Sequence, residues 1–352
     1  MKPTFSSKLR FFFFSASIAI GILSLSPAVT GHSHSHSVKA VTELWQFPNN
    51  TWVENLAVRS NGKLLVTLLT APEVWQVDPL KDEEPFLVAR FPNAIGALGI
   101  AELEKDVFVV ATGNLSVKEA RLLNANSTAV WTVDVRDMDP QMVGSSKGVK
   151  VSKITNIPDA LVLNGLVTLD AKRGLVLVAD SQNGWIYLVN ALTGEYKVVL
   201  DDITLKPTNV FPLGVNGIRL RDGVVYYTSS AQGQFGKVKI NSTDGTAMGP
   251  YFLIAGNGFA DDFDLDPSPN GMAYSCTNPF NDLKTIAMDG AVNTILGGVE
   301  STLIAGDTSA RFGREKNQRT LYVTTNGGLA RPVNGRIEGG KVMAVELTEL
   351  GH

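Results

Sequence analysis

The sequence is poor in the residue types on which most hydrolytic, zinc and disulfide chemistry depends. Its four histidines are His32, His34, His36 and His352, all near the termini, and its only cysteine is Cys276. A Ser-His-Asp or Cys-His apparatus in the body of the chain therefore lacks its base. A zinc site of His and Cys lacks its ligands, and no internal disulfide can form.

Nucleotide-binding signatures and concentrated positive charge are missing as well. No Gly-x-Gly-x-x-Gly joins a strand to a helix and no Walker-type lysine loop occurs, so we expect no nucleotide or flavin cofactor. The 31 basic residues are outnumbered by 34 acidic residues. This balance argues against nucleic acid as a partner, because phosphate binding needs a basic surface.

The N-terminus has the features of a targeting signal. Lys2, Lys8 and Arg10 precede an apolar run over residues 11–26, and small residues follow. We predict a signal peptide over residues 1–31, with an uncleaved signal anchor as the alternative. Loss of its three basic residues moves the formal charge from -3 to -6. The His/Ser-rich stretch 32–38 is predicted to be a disordered leader, and residues 39–352 a single domain without membrane contact.

Four Asn-x-Ser/Thr acceptors suit a chain in the secretory pathway or outside the cell. If glycosylated they are expected on surface loops. The acceptor positions are Asn49, Asn114, Asn126 and Asn241.

A degenerate repeat predicts the fold. Each copy has a polar or glycine-rich start, an alternating apolar stretch, a turn and a second β-rich run, and the copies begin at Glu54, Gly96, Asn164, Asn216, Asp261 and Gly306. The separations of 42, 68, 52, 45 and 45 residues suit four short strands per propeller blade. We predict an all-β, six-bladed propeller with four antiparallel strands per blade. The strand at 41–47 should complete the last blade and close the ring.

The long gap between the second and third copies contains a polar, Gly- and Ser-containing segment, 137–153. A segment of this length is either a lid over a pocket or an insertion without function, and the sequence leaves both open.

Four polar residues occupy corresponding places at the heads of their repeats: Glu54, Asn164, Asn216 and Asp261. In a propeller these places converge on the central channel. Two carboxylates and two amides offer only oxygen ligands, which favour calcium or magnesium over a soft metal. The alternative is that these residues only cap turns, as Asn and Asp commonly do.

The order Glu, Asn, Asn, Asp, with Asn-Gly before an apolar strand, resembles the SMP-30/gluconolactonase/LRE-like propellers over nearly the whole mature chain. The resemblance implies that the four residues hold one divalent cation at the channel floor, where the metal polarises a lactone. Two motifs depart from the family. Glu54-Asn55-Leu56 replaces Glu-Gly-Pro, and Val162-Leu163-Asn164-Gly165 replaces the sugar-gripping Arg-x-Asn-Asp. The apolar Val162-Leu163 pair suits a small apolar substrate or ligand.

The chain also resembles a fungal secreted subgroup that includes hetero-Diels-Alderases of secondary metabolism, which join a quinone methide to a terpene alkene. That chemistry needs no histidine, nucleophile or redox cofactor. A divalent-metal-dependent lactonase and a non-catalytic binding propeller remain alternatives. Candidate pocket donors near the ends of predicted inner strands are Tyr227, Thr228, Asn278 and Thr325.

Overall fold

The structure is a computed structural model. It describes residues 37–117, 121–123, 128–138, 146–256, 258, 260–268, 271–314 and 319–348. The predicted signal peptide, the leader up to residue 36, the four histidines and Asn126 lie outside these residues. Strand β1 already begins at Val38, the last residue of the predicted leader.

The described residues form six four-stranded antiparallel sheets, the blades, and one small two-stranded sheet. The six strands that begin blades 1 to 6 are β2 (Val53–Val58), β6 (Gly96–Glu104), β12 (Leu163–Asp170), β16 (Val215–Arg221), β20 (Phe263–Leu265) and β24 (Asp307–Phe312). Each of these strands contacts the first strands of both neighbouring blades. They therefore form a closed ring around a central channel.

The other strands follow outward in each blade. The second strands are β3 (Leu64–Leu68), β7 (Val107–Gly113), β13 (Leu175–Asp180), β17 (Val224–Ser229), β21 (Ala273–Cys276) and β25 (Thr320–Thr325). The third strands are β4 (Glu73–Val77), β10 (Ala129–Asp134), β14 (Trp185–Asn190), β18 (Gln234–Lys239), β22 (Asp282–Ile286) and β26 (Lys341–Leu347). The outer strands are β5 (Phe86–Arg90), β11 (Lys150–Asn156), β15 (Tyr196–Asp201), β19 (Phe252–Ala255), β23 (Val292–Gly297) and β1 (Val38–Gln46).

Two short elements lie between blades or within their connections. Strands β8 (Leu115–Ser116) and β9 (Arg121–Leu122) pair in the connection that follows β7. A 3₁₀ turn at Ile203–Leu205 precedes blade 4. Among the described residues no helix is long and apolar enough to cross a membrane.

The second strands are buried on both faces because each lies between two neighbouring blades. β3, β7, β13 and β25 are buried along their whole length. Phe108 packs with Leu65 in the core between blades 1 and 2, and Phe235 meets Phe263 edge to face between blades 4 and 5. The continuous apolar runs of the sequence follow from this double burial.

The residues in the turns between the first and second strands have the backbone conformations that such hairpins need. Asp222 and Gly223 both have positive φ, which is the requirement of a type I′ turn. Gly174 supplies positive φ in the equivalent turn of blade 3.

Blade 6 is closed by the N-terminal strand. β1 pairs antiparallel with β26, from Val38 opposite Leu347 to Gln46 opposite Lys341. The six-bladed fold and its closure by an N-terminal strand are thus confirmed.

Candidate functional site

A β-bulge at the head of the first strand aims side chains at the channel. In blade 1, Val53 and Asn55 pair with Leu68 and Thr67, so Glu54 is the extra residue. Equivalent register shifts occur in blades 2, 3, 4 and 6. In blade 5 the amides of Asp261 and Cys276 bond the carbonyl oxygens of Cys276 and Asp262, respectively, so two residues again face one. Such bulges re-aim side chains.

The equivalent bulge residues of blades 1 to 6 form what we call the head ring. Its members are Glu54, Leu98, Asn164, Asn216, Asp261 and Thr308. The four residues selected from the sequence are thus four of its six members, each less than a tenth exposed.

The glycine after each ring asparagine allows neighbouring first strands to approach closely. A Cβ on Gly165 would lie 2.3 Å from the carbonyl oxygen of Asn216. A Cβ on Gly217 would lie 2.0 Å from Oδ1 of Asp262. The Asn-Gly pairs of the sequence therefore combine a channel-facing amide with a position that has no room for a side chain.

Direct hydrogen bonds join two members of the head ring. Asn216 Nδ2 donates to Asp261 Oδ1 at 2.8 Å, and Asn278 Nδ2 donates to Asp261 Oδ2 at 2.9 Å. Trp52 Nε1 donates to Glu54 Oε2. Asn164 lies beside this group through the strand contact of Gly165 with Asn216, but no side-chain hydrogen bond of Asn164 is found within the described part of the chain.

The surroundings of Glu54 and Asp261, the two carboxyl groups of the head ring, disfavour their negatively charged forms. Burial, partly offset by the Trp52 hydrogen bond, raises the pKa of Glu54 to about 7, with Asp262 adding repulsion. Burial and then the charge of Glu54 raise the pKa of Asp261 well above its ordinary value. A bound cation would relieve both effects.

A second set of equivalent positions lies at or just after the end of each second strand. We call this the strand-end ring, and its members in blades 1 to 6 are Leu69, Gly113, Ser181, Ser230, Asn278 and Asn326. Only Asn278 was selected from the sequence. Ser230 contacts the head ring, because its Oγ accepts a hydrogen bond from Asn216 Nδ2. Asn326 contacts Asn278 of its own ring, because Asn326 Nδ2 donates to Asn278 Oδ1.

A charged cluster crosses the channel next to the head ring. We call it the channel plug: Asn55, Arg219, Asp262, Ser309 and Arg311. Asp262 Oδ2 accepts from Asn55 Nδ2 at 3.0 Å and Ser309 Oγ at 2.8 Å, and both arginines donate to the same oxygen. Asn55 and Asp262 belong to blades 1 and 5, which are not neighbours, so their side chains meet across the channel. The plug gives the head ring a polar floor.

Apolar side chains flank the head ring on the side of blades 1 to 4. We call this group the apolar sector: Trp52, Leu69, Leu98, Leu115, Val117, Val162 and Leu213. Trp52, Val117 and Leu213 are half-buried, and the others are buried. Of the apolar pair noted in the sequence, Val162 belongs to this sector and Leu163 to the core between blades 2 and 3.

Three of the four candidate donors have contacts that tie them to blade packing. Tyr227 is buried between blades 3 and 4, and its hydroxyl donates to Thr204 Oγ1 at 2.8 Å. Thr228 Oγ1 donates to the carbonyl oxygen of Asp261, and Thr325 Oγ1 accepts from the amide of Lys341. Side chains of a second strand alternate between two interblade gaps, which accounts for this placement. A catalytic role for these three stays a prediction.

The glycan acceptors differ in exposure. Asn49 is exposed, and Asn241 is half-buried with its Oδ1 accepting from the amide of Thr243. Asn114 is 1% exposed, which disagrees with the surface location expected of an acceptor. It follows a buried strand and precedes another, so the local sequence motif does not reveal its burial.

The described residues of the segment 137–153, which are 137, 138 and 146–153, lie away from the head ring. β10 ends at Asp134 opposite Val107, whereas the head-ring end of the blade is where Gly96 pairs with Gly113. Residues 150–153 belong to the outer strand β11. The described part of the segment therefore leaves from the opposite end of the blade, which does not suit a lid over the head ring.

The head ring fits a hard divalent cation. Within the described residues no group of three or more His, Cys, Asp or Glu side chains is arranged to hold a metal. A cation here would thus depend on amide oxygens beside Glu54 and Asp261. Asn216 Oδ1 is such an oxygen, because it is buried and no partner for it is found among the described residues.

Comparisons with known proteins agree with this fold. No protein-family model matches the chain. A protein from Phoma sp named "Putative hetero-Diels-Alderase" is 28% identical over 309 residues, 80% of this chain and 86% of that protein. A protein from Sarocladium schorii that bears the same description is 28% identical over 313 residues, 79% of this chain and 76% of its own. The chain is therefore similar to both along most of its length.

Solved structures share the fold at low identity. A luciferin-regenerating enzyme has a TM-score of 0.63 at 14% identity, over 89% of this chain and 96% of its own. Regucalcin from Agrobacterium tumefaciens, a calcium-binding protein, has a TM-score of 0.59 at 12% identity, over 90% of this chain and 95% of its own. The resemblance to SMP-30/gluconolactonase/LRE-like propellers that the sequence indicated is confirmed at the level of the fold.

Proposed function

We propose that the head-ring end of the channel is the reaction pocket of a natural-product enzyme that acts as a hetero-Diels-Alderase and joins a quinone methide to a terpene alkene. The names of the two curated relatives support this proposal. The structural observation that carries it is the position of the apolar sector beside the polar members of the head ring.

This arrangement matches the reactants. A quinone methide and a terpene alkene are apolar except for one carbonyl oxygen. Their union forms one C–O and one C–C σ bond in place of two of the three π bonds, and no leaving group, proton or electron is transferred. The protein has to hold the two partners together and stabilise negative charge on the oxygen. The lack of histidine among the described residues is compatible with both tasks.

Asn164 is the ring residue best placed to meet the carbonyl oxygen. It lies between Leu98 of the apolar sector and Asn216 of the polar group, and its amide makes no hydrogen bond that the described residues show. Its Nδ2 is then free to donate to the substrate oxygen. One well-placed donor of this kind contributes about 3 kcal/mol to the transition state.

We also propose that Glu54, Asn164, Asn216 and Asp261 hold one divalent cation, calcium or magnesium. Bound there, the cation would supply Lewis-acid polarisation of a carbonyl group. The uncommitted Oδ1 of Asn216 and the two destabilised carboxylates support this assignment. The same ring is compatible with a second candidate function, a metal-dependent lactonase. The fold supports this candidate, whereas the apolar sector does not.

The test is a rate assay on the purified mature chain with two substrate classes. We expect acceleration of the cycloaddition between a quinone methide and a terpene alkene, and no turnover of small sugar lactones. Asn164→Ala should lower kcat about 100-fold. Leu98→Ser should raise KM, whereas Leu192→Ser, an exposed leucine between β14 and β15, should match the wild type.

A chelator separates the two candidates. Lactone hydrolysis that disappears with EDTA, without any cycloaddition, would replace the proposed reaction by the lactonase. Binding of the apolar ligands without acceleration of either reaction would leave only a binding propeller.

We further propose that the chain enters the secretory pathway and carries a glycan at the exposed Asn49. The basic and apolar N-terminus supports export. Endoglycosidase should shift the mobility of the secreted protein, and Asn49→Gln should remove part of that shift. Secretion of unmodified protein from a glycosylating host would contradict the glycan assignment.

A further inference from the structure

The strand-end ring of blades 4 to 6 contains a directed chain of hydrogen bonds. We propose that Asn326, Asn278 and Ser230 are positioning residues that fix which atoms of Asp261 and Asn216 are free to bind a cation. The inference rests on the cation site proposed above. It assigns a function to three residues outside the head-ring quartet.

The chain begins at a backbone amide in blade 6. The N–H of Gly328 donates to Asn326 Oδ1 at 2.9 Å, so this end of the amide faces Gly328 and Nδ2 faces the other way. Nδ2 donates to Asn278 Oδ1 at 2.9 Å. Asn326 is fully buried, and Gly306 leaves room for it, since a Cβ there would lie 2.0 Å from Asn326 Oδ1.

Blade 5 transmits this orientation to the ring. The side-chain oxygen Oδ1 of Asn278 faces Nδ2 of Asn326, so Nδ2 of Asn278 must point away from Asn326. This Nδ2 of Asn278 donates to Asp261 Oδ2 at 2.9 Å. Asp261 therefore meets an N–H group at this oxygen and keeps its remaining lone pairs for another ligand.

Blade 4 fixes the other side of Asp261. Ser230 Oγ donates to the carbonyl oxygen of Ala260 at 2.7 Å, so it can only accept from Asn216 Nδ2, at 3.0 Å. The second N–H of Asn216 donates to Asp261 Oδ1 at 2.8 Å. Asn216 Oδ1 is thereby left buried and uncommitted, a carbonyl oxygen available to a cation.

Capping of strand ends does not explain these residues. Leu69 and Gly113 occupy the same ring positions in blades 1 and 2, so the blade needs no polar side chain there. In blades 5 and 6 the side-chain amides instead form a chain from Asn326 through Asn278 to Asp261, and in blade 4 Ser230 holds the Asn216 amide that donates to Asp261. Partners of this kind commonly change metal affinity 10- to 100-fold when mutated.

The experiment measures calcium affinity of the full mature chain by titration calorimetry, with the melting temperature of the metal-free protein as the check on folding. Asn326→Asp retains an acceptor for Gly328 but turns Asn278 Nδ2 toward itself, so Asn278 Oδ1 then faces Asp261. We expect affinity to fall about 10- to 100-fold. An added negative charge by itself would strengthen cation binding, so the sign of the change separates orientation from charge.

Ser230→Ala is the second variant, and it removes only one hydroxyl group. We expect about 10-fold weaker binding. Ser181→Ala is its matched control, because Ser181 holds the same position in blade 3 and its buried Oγ has no partner among the described residues; its affinity should equal that of the wild type.

Wild-type affinity in Ser230→Ala, or unchanged or stronger binding in a folded Asn326→Asp, would overturn the positioning role. If Asn326→Asp does not fold, the calcium affinity of Ser230→Ala compared with that of Ser181→Ala decides whether the positioning role holds. Absence of calcium and magnesium binding in the wild type would instead reject the cation site itself.

Discussion

Glu54 and Asp261 are buried acidic side chains at the same end of the channel, and their environment disfavours negative charge. For Glu54 the largest cause is burial, which the Trp52 hydrogen bond only partly offsets. For Asp261 burial is reinforced by repulsion from Glu54. The metal-free pocket thus binds protons more tightly than the unfolded chain does.

This difference predicts a pH dependence of stability. Below pH 4.5, the ordinary pKa of a glutamate side chain, Glu54 is protonated in both the folded and the unfolded chain and adds no pH dependence to the stability. Between 4.5 and about 7 the unfolded chain loses this proton first, so Glu54 makes the metal-free protein less stable as pH rises, and its own contribution changes little above 7. The slope from one such group approaches about 1.4 kcal/mol per pH unit.

Chemical denaturation from pH 4.5 to 8 checks this expectation. Glu54→Gln should reduce the slope and leave the part due to Asp261, whereas the exposed Glu84→Gln should retain the full slope. In the proposed cation site calcium competes with protons for Glu54, so the gain in melting temperature from calcium should grow over the same range. A wild-type slope in Glu54→Gln would remove Glu54 from this account.

At this scale the sequence predicted part of the site. Repeat alignment was sufficient to find Glu54, Asn164, Asn216 and Asp261, because a bulge puts corresponding residues in corresponding places. It was not sufficient to find Ser230 or Asn326, since a polar residue after a strand has the same appearance whether it caps a turn or orients a ligand. The buried Asn114 shows the same limit.

The first strands combine two local devices, a bulge and a small residue. In blades 1, 5 and 6 the bulge turns two successive side chains toward the channel, one to the head ring and one to the channel plug. Glycine at positions 99, 165 and 217 allows the strands of blades 2 to 5 to approach. The Asn-Gly pairs were visible in the sequence, but their packing reason was not, because these glycines do not occupy turns.

Gly217→Ala tests the close approach of the first strands. The added Cβ would lie 2.0 Å from Asp262 Oδ1 and 2.9 Å from its Cα, so the plug must shift. We expect a loss of about 1 to 3 kcal/mol in the free energy of unfolding, measured by urea denaturation. Gly249→Ala is the control, because nothing lies within 4 Å of its added Cβ. Equal stability of the two variants would contradict this role of Gly217.

The whole molecule is a ring closed by its N-terminal strand. β1 pairs with β26, and its side chains enter both neighbouring cores: Val38 and Val41 pack between blades 5 and 6, and Leu44 and Trp45 between blades 6 and 1. The sequence predicted this closure because a strand-like segment, 41–47, precedes the first copy of the repeat. The sequence could not place the 137–153 segment, since polarity does not specify which end of a blade a loop leaves.

Removal of residues 38–46 tests the closure. The deletion exposes the edge of β26 and two apolar core surfaces, so we expect a fall in melting temperature of at least about 5 °C and a tendency to associate through the free edge. Light scattering and calorimetry measure both. Replacement of Lys39 and Thr42, exposed residues of β1, by serine should leave both properties unchanged. An unaltered melting temperature after the deletion would contradict a closing role for this strand.

The pocket is asymmetric, with the apolar sector on one side of the head ring and Asn216 and Asp261 on the other, and we expect it to hold a quinone methide and an alkene in one relative orientation. The enantiomeric composition of the cycloadduct measures this directly. The account predicts a large excess of one enantiomer with the wild-type protein, and a racemic product in buffer or with heat-denatured protein. A racemic product formed at the uncatalysed rate in the presence of the folded protein would contradict it.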